Sequence, residues 1–335
     1  MISKFFKLPT TFGSLAVAAV AAVTLTASPA ADAQVTRLGF SGGPDGGTFQ
    51  YFSNGIATHL SRAVPNTQVS NMVSAGSVEN LRRVNSRDAD FGIVYSGDLY
   101  LGMNGRLTND TNKYRNVHVI AHLYGAPGHL IVREDSGITD VAQLAGKQVA
   151  VGPAGSGAAA SAQRFFESIG LWDKIKPSFI GYSQGASALG DNQIDALWVF
   201  AGFPNASVIQ AATSNKVRLL QVWDAAQKGT LPQDHPYYAK VTIPAGTYPG
   251  VDYDVHSISD SALWVAGRHL SADDVYKYTS EIYSAEGMKF MHSVSKAAAS
   301  MTVENALLGV VTPVHAGAAK FWEEKGLKLE ASHKP

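Results

Sequence analysis

The sequence predicts an α/β protein of two lobes, each with a mostly parallel sheet flanked by helices, and with a ligand cleft between the lobes. Three observations predict this fold. Short apolar strands alternate with helical segments, the same order of elements returns in a second half, and a glycine-rich loop occupies the same place in each half. Alternating strands and helices favour parallel pairing, and parallel sheets bind ligands beyond the carboxyl ends of their strands.

The first half reads as strand, helix, strand, helix and strand. Residues 48–64 show helical periodicity, with Phe52, Ile56 and Leu60 on one face, and Pro65 ends the helix. Ser77 opens the second helix with a residue that is typical of helix starts. We therefore predict strands over 35–40, 67–73 and 90–95, and helices over 48–64 and 77–85.

The second half repeats this order without repeating the sequence. The polar turn and apolar strand over 85–95 match those over 190–200, and each strand ends in an aromatic residue. We predict strands over 147–152, 178–182 and 194–200, a helix over 158–169, and a short helical remnant over 186–189.

Two places along the chain are predicted to carry it from one lobe to the other. The first lies near 122–129, where glycine and proline interrupt an apolar run, and the second lies near 243–255. The first lobe is then discontinuous, with residues 34–125 and 250–335, and residues 126–249 form the second lobe. The two crossings would act as a hinge.

The N-terminus has the pattern of a cleaved signal peptide. Lys4 and Lys7 precede an apolar stretch over 12–25, and Ala31-Asp32-Ala33 fits a cleavage site before Gln34. A membrane anchor is the alternative, because the uncharged run over 8–31 is long enough to span a bilayer. Proline and small polar residues in that run favour cleavage after Ala33, which predicts a periplasmic protein.

Composition excludes several functional classes. Residues 34–335 carry 25 basic and 26 acidic side chains, and this balance argues against a nucleic acid or an anionic membrane as partner. The chain has no cysteine, which excludes disulfides, thiol catalysis and zinc sites built on cysteine. We predict no cofactor and no metal.

The two glycine-rich loops carry the strongest chemical signal. Gly47-Thr48 and Gly155-Ser156-Gly157 each lie between a strand and a helix, where free N–H groups and the helix dipole favour an anion. No Lys or Arg occurs between Arg37 and Arg62 or between Lys147 and Arg164, so a carboxylate fits better than a polyphosphate. Ordinary tight turns remain the alternative for either loop alone.

An enzyme is the second hypothesis. Gly181-Tyr182-Ser183-Gln184-Gly185 matches the nucleophile elbow of serine hydrolases, and Asp195 or Asp224 with His235 or His256 would complete a triad. The chain lacks the oxyanion segment that usually accompanies this elbow, which favours a protein that is not an enzyme. A secreted surface protein that binds no solute is the third possibility.

His118 and His122 have a spacing that binds zinc on a helix. They lie in a segment that reads as a strand, and no glutamate follows His118 directly. We interpret both as structural histidines.

Several ordered segments together resemble the TAXI branch of the solute receptors of TRAP transporters. The segments that carry the resemblance are 39–48, 75–81, 89–94, 123–132, 152–157, 195–196, 202–204, 243–248 and 313–318. This resemblance covers the chain from about Val35 onward. It implies a periplasmic-binding-protein fold of type II, no catalysis, and delivery of a bound solute to a separate membrane permease.

The same resemblance implies where and what the protein binds. Ligands would be small carboxylates or amino acids such as glutamate, glutamine or 2-oxoglutarate-like acids, and the protein would be a monomer. The residues that would contact the ligand are Gly47, Thr48, Ser77, Asn80, Tyr95, Gly155, Ser156, Gly157, Gly202 and Phe203. Common TRAP receptors hold their carboxylate with an arginine, which is absent from these motifs.

Overall fold

A computed structural model describes residues 1–2 and 35–334 of this chain. The predicted signal peptide covers residues 1–33, so it lies outside the described residues except for its first two. The chain from Val35 onward forms one compact unit. Within the described residues, no helix combines the length and the apolar composition that a bilayer crossing requires.

One ten-stranded sheet organises the molecule, in the order β2-β1-β3-β10-β4-β7-β5-β6, with β8 beside β4 and β9 beside β10. The strands are β1 (Thr36–Ser41), β2 (Thr67–Met72), β3 (Phe91–Tyr95), β4 (Val117–Arg133), β5 (Gln148–Ala150), β6 (Lys176–Ser178), β7 (Ala196–Phe200), β8 (Val217–Leu219), β9 (Ala239–Ile243) and β10 (Val255–Gly267).

Eleven α-helices of the described residues flank this sheet. They are α1 (Thr48–Ala63), α2 (Ser77–Ser86), α3 (Ser96–Met103), α4 (Gly157–Ser168), α5 (Tyr182–Gly190), α6 (Ala206–Ser214), α7 (Val222–Lys228), α8 (Leu231–Asp234), α9 (Ala272–Ile282), α10 (Ala285–Val294) and α11 (Ala316–Glu324).

The sheet is mixed rather than mostly parallel. The pairs β1–β2, β1–β3, β5–β6 and β5–β7 are parallel, as the alternating pattern predicted. The long strands β4 and β10 run antiparallel to each other, and also to β7 and β3 respectively. The antiparallel pairs arise because the chain crosses the molecule twice, in opposite directions, through these two strands.

The first predicted crossing is one continuous strand. β4 runs without a break through the glycines and proline of 124–128, pairs with β10 as far as Pro127, and pairs with β7 from Gly128. The predicted second crossing at 243–255 is instead a hairpin between β9 and β10. β10 itself passes onward, and Ser259 pairs with both β9 and β4.

Two helices differ from the sequence prediction. The strand expected over 178–182 ends at Ser178, and α5 begins at Tyr182 with Gly181 as its N-cap, so the remnant expected over 186–189 is part of a full helix. Helix α3 begins directly after β3 and was not predicted. Its start has no polar turn, because Tyr95 is at once the last strand residue and the N-cap.

Aromatic side chains fill the core on both sides of the long strands. Phe40, Phe91 and Trp264 pack together, with ring centroids 5.7 to 6.4 Å apart. On the other side Phe165 stacks on Trp198 at 5.3 Å. Burying a side chain of this kind contributes about 1.5–3 kcal/mol. The two aromatic clusters therefore stabilise the packing on the two sides of the long strands.

Candidate functional site

The first glycine-rich loop and the start of α4 line one small cavity, which lies where the two predicted lobes meet. Its lining residues are Pro44, Gly47, Thr48, Phe49, Ala75, Gly76, Ser77, Tyr95, Ala158, Tyr182, Phe200 and Ala201. The centre of a water molecule can occupy about 10 Å³ of this cavity, which is the room that a single water needs. A solute therefore fits only after the surrounding segments move apart.

The first loop packs directly on elements of the second predicted lobe. Gly46 has a φ of +74°, and a Cβ atom there would overlap Ser207 and lie 2.6 Å from Ser183 Oγ. Gly47 follows as the N-cap of α1, with no side chain to cap the helix. Glycine is required at residue 46 because it combines the left-handed conformation with a very close approach.

The second loop makes the reciprocal contact. Ser156 caps α4, since its Oγ accepts a hydrogen bond of 3.0 Å from the amide of Ala159. A Cβ atom on Gly157 would lie 2.5 Å from Asp98 Oδ2, 2.6 Å from Ser77 Cβ and 2.8 Å from Tyr95 Cδ2. The start of α4 is thus pressed against α2 and α3.

Hydrogen bonds cross the boundary between the predicted lobes. Tyr95 donates to the carbonyl oxygen of Phe200 at 2.5 Å, and Thr48 donates to that of Gly202 at 3.3 Å. Asn205 Nδ2 donates to the carbonyl oxygen of Gly46 at 3.0 Å. Burial raises the pKa of the Tyr95 hydroxyl, so the phenol stays protonated and donates.

Two further predicted residues also adjoin this cavity. Ser77 Oγ accepts a hydrogen bond of 2.9 Å from the amide of Tyr95, which ties α2 to the end of β3. Gly202 packs against the ring of Tyr124, where a Cβ atom would come within 2.9 Å of the ring. Together with the two loops, these contacts bring Ser77, Tyr95 and Gly202 to one place.

Three residues that the sequence predicted to contact the ligand do not line the cavity. Asn80 is fully buried, and its amide bonds Ser41, Ser74 and two backbone carbonyls of the first predicted lobe, so no hydrogen-bonding atom faces the cavity. Phe203 is half-buried and does not line the cavity. Gly155 is exposed and lines a neighbouring crevice between α2 and α4, which Ser156 of the second loop lines as well.

A buried ionic cluster lies beside the cavity, and sequence reasoning missed it. Arg164 of α4 donates to Asp98 Oδ1 of α3 at 2.6 Å, and both side chains are almost wholly buried. Arg164 also donates to Tyr238 Oη at 3.1 Å. Asp260 of β10 lies close by, where burial first and Asp98 second raise its pKa to about 7.

The residues nominated for a hydrolase are not assembled. Ser183 Oγ lies 3.4 Å from Ser207 Oγ, and no histidine contacts it among the described residues. The ring of His235 bonds Tyr237, and the ring of His256 bonds Thr242. Asp195 accepts a hydrogen bond from the amide of Gln148, and Asp224 lines a separate crevice beside α7. Among the described residues, neither aspartate is hydrogen-bonded to a histidine near Ser183.

The spaced histidines lie on strand β4 rather than on a helix. Burial lowers the pKa of both His118 and His122 to about 4, which keeps their rings neutral. Across residues 1–2 and 35–334, no group of three or more His, Asp or Glu side chains is arranged to hold a metal ion.

Comparisons with known proteins agree on the fold. The model of the NMT1-like family matches residues 40–326. MatC from Rhodopseudomonas palustris, solved with bound malate, is 14% identical, with 87% of this chain and 96% of MatC covered and a TM-score of 0.53. The periplasmic binding protein BugD is 11% identical, with 88% and 99% covered and a TM-score of 0.51. The predicted α/β fold of the periplasmic-binding-protein kind is thereby confirmed, with one mixed sheet in place of two mostly parallel ones.

Proposed function

The chain belongs to the NMT1-like family, and we propose that it is an extracytoplasmic solute receptor that captures a small carboxylate or an amino acid between two lobes. Residues 34–125 and 250–335 form one lobe of this proposal, and residues 126–249 form the other. The receptor works by binding alone, so no residue is assigned a catalytic role.

One observation carries the proposal: polar groups from both lobes meet at a cavity that is too small for a solute as it stands. Tyr95, Thr48 and Asn205 each give a hydrogen bond to a carbonyl of the opposite lobe. Each of these bonds contributes about 0.5–1.5 kcal/mol net. The ion pair of Arg164 with Asp98 also joins the two lobes, so opening must separate this pair as well and let water solvate its charges. Separating the lobes exposes these donors, and a solute that enters can bind them before the lobes close.

The solute class follows from the groups that opening would expose. The start of α4 offers backbone N–H groups and the positive end of a helix dipole, which favour a carboxylate. Thr48 and Tyr95 add hydroxyl donors, and the ring of Phe49 lies 4.8 Å from that of Tyr95, which suits an organic body. MatC, which shares the fold, was solved with malate, a small carboxylate.

Delivery to a membrane permease of the TRAP type completes the proposal. It rests on the resemblance of the ordered motifs to TAXI receptors, and it requires export to the periplasm with cleavage after Ala33. A monomer suffices, because both walls of the cleft come from one chain.

A thermal-shift screen followed by calorimetry tests the binding function. We expect at least one organic acid or amino acid to raise the melting temperature, since a ligand that binds only the folded protein stabilises it in proportion to its concentration over Kd. Gly157→Ala should weaken that binding at least about tenfold, or 1.4 kcal/mol. The added methyl group would occupy the position that lies 2.5 Å from Asp98 Oδ2 and would hold the lobes apart.

Gly181→Ala is the matched control. Gly181 lies at a helix start too, as the N-cap of α5, its φ is −67°, and no neighbouring atom lies within 4 Å of the position of its Cβ. This variant should bind like the wild type. Equal affinity of all three proteins would show that the contact of Gly157 with α3 has no part in binding, and a screen without any binder would contradict a receptor function.

A further inference from the structure

The ionic cluster beside the cleft lacks one positive charge. Asp98 and Asp260 supply two carboxylates, whereas Arg164 supplies a single guanidinium. The other ionisable side chains that face them are the phenols of Tyr95, Tyr237 and Tyr238, whose pKa is raised by burial, and the imidazole of His235, whose pKa is lowered by burial first and by Arg164 second. All four therefore stay neutral. With both carboxylates ionised, the cluster has a net charge of −1.

The positive charge is missing beside one oxygen atom of the cluster, which has no hydrogen-bond donor. Asp260 accepts from the amides of Gly97 and Ser261, and Asp98 Oδ1 accepts from Arg164. Asp98 Oδ2 is fully buried, and no group among the described residues donates to it. An unpaired carboxylate oxygen that is shielded from water is costly, so it demands a donor.

This oxygen adjoins the place where a solute would lie. Asp98 Oδ2, Ser77 Cβ and Tyr95 Cδ2 all surround the same point, the position of a Cβ atom on Gly157. Ser77 and Tyr95 line the cavity. A solute that enters between Gly157 and these two residues therefore lies next to Asp98 Oδ2.

We propose that Asp98 accepts a hydrogen bond from the protonated amine of the solute, so that the cleft selects amino acids over acids of similar shape that lack the amine. The inference rests on the proposed receptor function and narrows its solute class. An ammonium group supplies both the charge that the cluster lacks and the donor that Oδ2 lacks, and such charge-assisted bonds are the strong ones. The carboxylate of the same solute would bind the start of α4.

A solute with only negative charge is disfavoured by the same oxygen. A second carboxylate in place of the amine would bring like charges together where little water screens them. A proton on Asp260 could supply the missing charge instead, but its pKa of about 7 restricts that to acidic and neutral solution. At pH 8 an amine-bearing solute should therefore show its largest advantage.

Calorimetry at pH 8 with the wild type and paired probes tests the proposal. The probes are the common L-amino acids, each measured beside its 2-oxo acid, such as L-glutamate beside 2-oxoglutarate. We expect the tightest amino acid to bind at least about tenfold more strongly than its 2-oxo acid. If the 2-oxo acids bind equally well or better, Asp98 has no such role, although the receptor function stands. If no probe of either class binds, the receptor function fails as well.

Asp98→Asn and Asp260→Asn form a matched pair of variants. Each removes one negative charge, but only Asp98 has an oxygen without a donor. We expect Asp98→Asn to lose at least about tenfold in affinity for the amino acid and to leave its 2-oxo acid unchanged. Asp260→Asn removes the excess negative charge but keeps the oxygen that has no donor, so it should lose clearly less affinity for the amino acid. Equal losses in both variants would overturn the contact with Asp98. If a variant fails to fold, the wild-type comparison still decides.

Discussion

The closed cleft has two sides that are built from opposite chemistry. On one side, aromatic rings and neutral hydroxyls meet backbone carbonyls, as where Tyr95 and Tyr182 both donate to the carbonyl oxygen of Phe200. On the other side, a few ångströms from Gly157, the ion pair of Asp98 and Arg164 lies buried beside Asp260. Separating the lobes on the neutral side breaks only hydrogen bonds between uncharged groups. The stability of the ionic side depends strongly on the balance of its positive and negative charges.

Removing the guanidinium should have the largest effect. Arg164→Leu leaves both oxygens of a fully buried Asp98 without a partner, and breaking a buried ion pair in this way costs about 3–5 kcal/mol. Urea unfolding measures the loss. The surface pair of Arg218 and Glu134 provides the control, because Arg218→Leu should cost less than about 1 kcal/mol. Similar losses in the two variants would mean that the ionic side is hydrated.

The next largest effect should be the dependence of stability on pH. Burial raises the pKa of Asp260 to about 7, whereas the pKa of an aspartate in an unfolded chain is about 3.9. The unfolded chain therefore releases this proton first, and the free energy of unfolding should fall on the order of a few kcal/mol between about pH 4 and pH 7, then level off. Urea unfolding from pH 4 to pH 8 measures the fall.

Asp260→Asn serves as the reference for that measurement, because an amide cannot titrate. Its stability should fall less than that of the wild type over the same pH range. Two parallel curves would show that Asp260 ionises in the folded protein as it does in the unfolded chain.

A smaller effect is expected on the neutral side. Tyr95→Phe removes the donor of one bond across the cleft and keeps the ring, so it should cost about 0.5–1.5 kcal/mol of stability. Tyr182→Phe is the control within the same lobe as Phe200, since it removes a bond of 3.0 Å to the same carbonyl. Tyr95→Phe should also alter solute affinity, which calorimetry would detect.

The smallest effect should follow from changing Ser183. Its hydroxyl has one weak polar contact, with Ser207, on the neutral side of the cleft. Ser183→Ala should change the melting temperature by less than one degree or so, equivalent to about 0.5 kcal/mol or less. A fluorophosphonate probe should leave the wild type unlabelled, and labelling that disappears in Ser183→Ala would revive the hydrolase hypothesis.

The neutral side was largely predictable from the sequence, and so was the fold. Periodicity and glycine placement indicate each strand and helix from β1 to β3 and then α4, because these features are local. The same local reasoning indicates that Gly47 and Gly157 lie at helix starts on adjoining sheet edges. The role of Asn80 was not accessible, since a short polar residue at a helix start can equally bond the backbone around it, as it does here.

The ionic side could not be predicted, because its members are far apart in sequence. Asp98 lies on α3, which follows β3 directly and has no polar turn in the sequence to indicate its start. Asp98 and Arg164 are 66 positions apart along the chain. Arg164 is buried in α4, although arginine is a residue type that mostly lies at the surface. The charges come together only because α4 packs against α3, and local sequence patterns do not predict which helices pack against each other.

The two long antiparallel strands have a mechanical consequence for any opening of the cleft. β4 and β10 pair over residues 117–127 and 259–267, and the register of their pairing shifts at Ala262/Leu263 and at Trp264/Val265. Such irregularities add local twist to a strand pair. The strand pair can therefore change its twist while the backbone hydrogen bonds between β4 and β10 stay intact. Rotation about this strand pair would move the two glycine loops apart together.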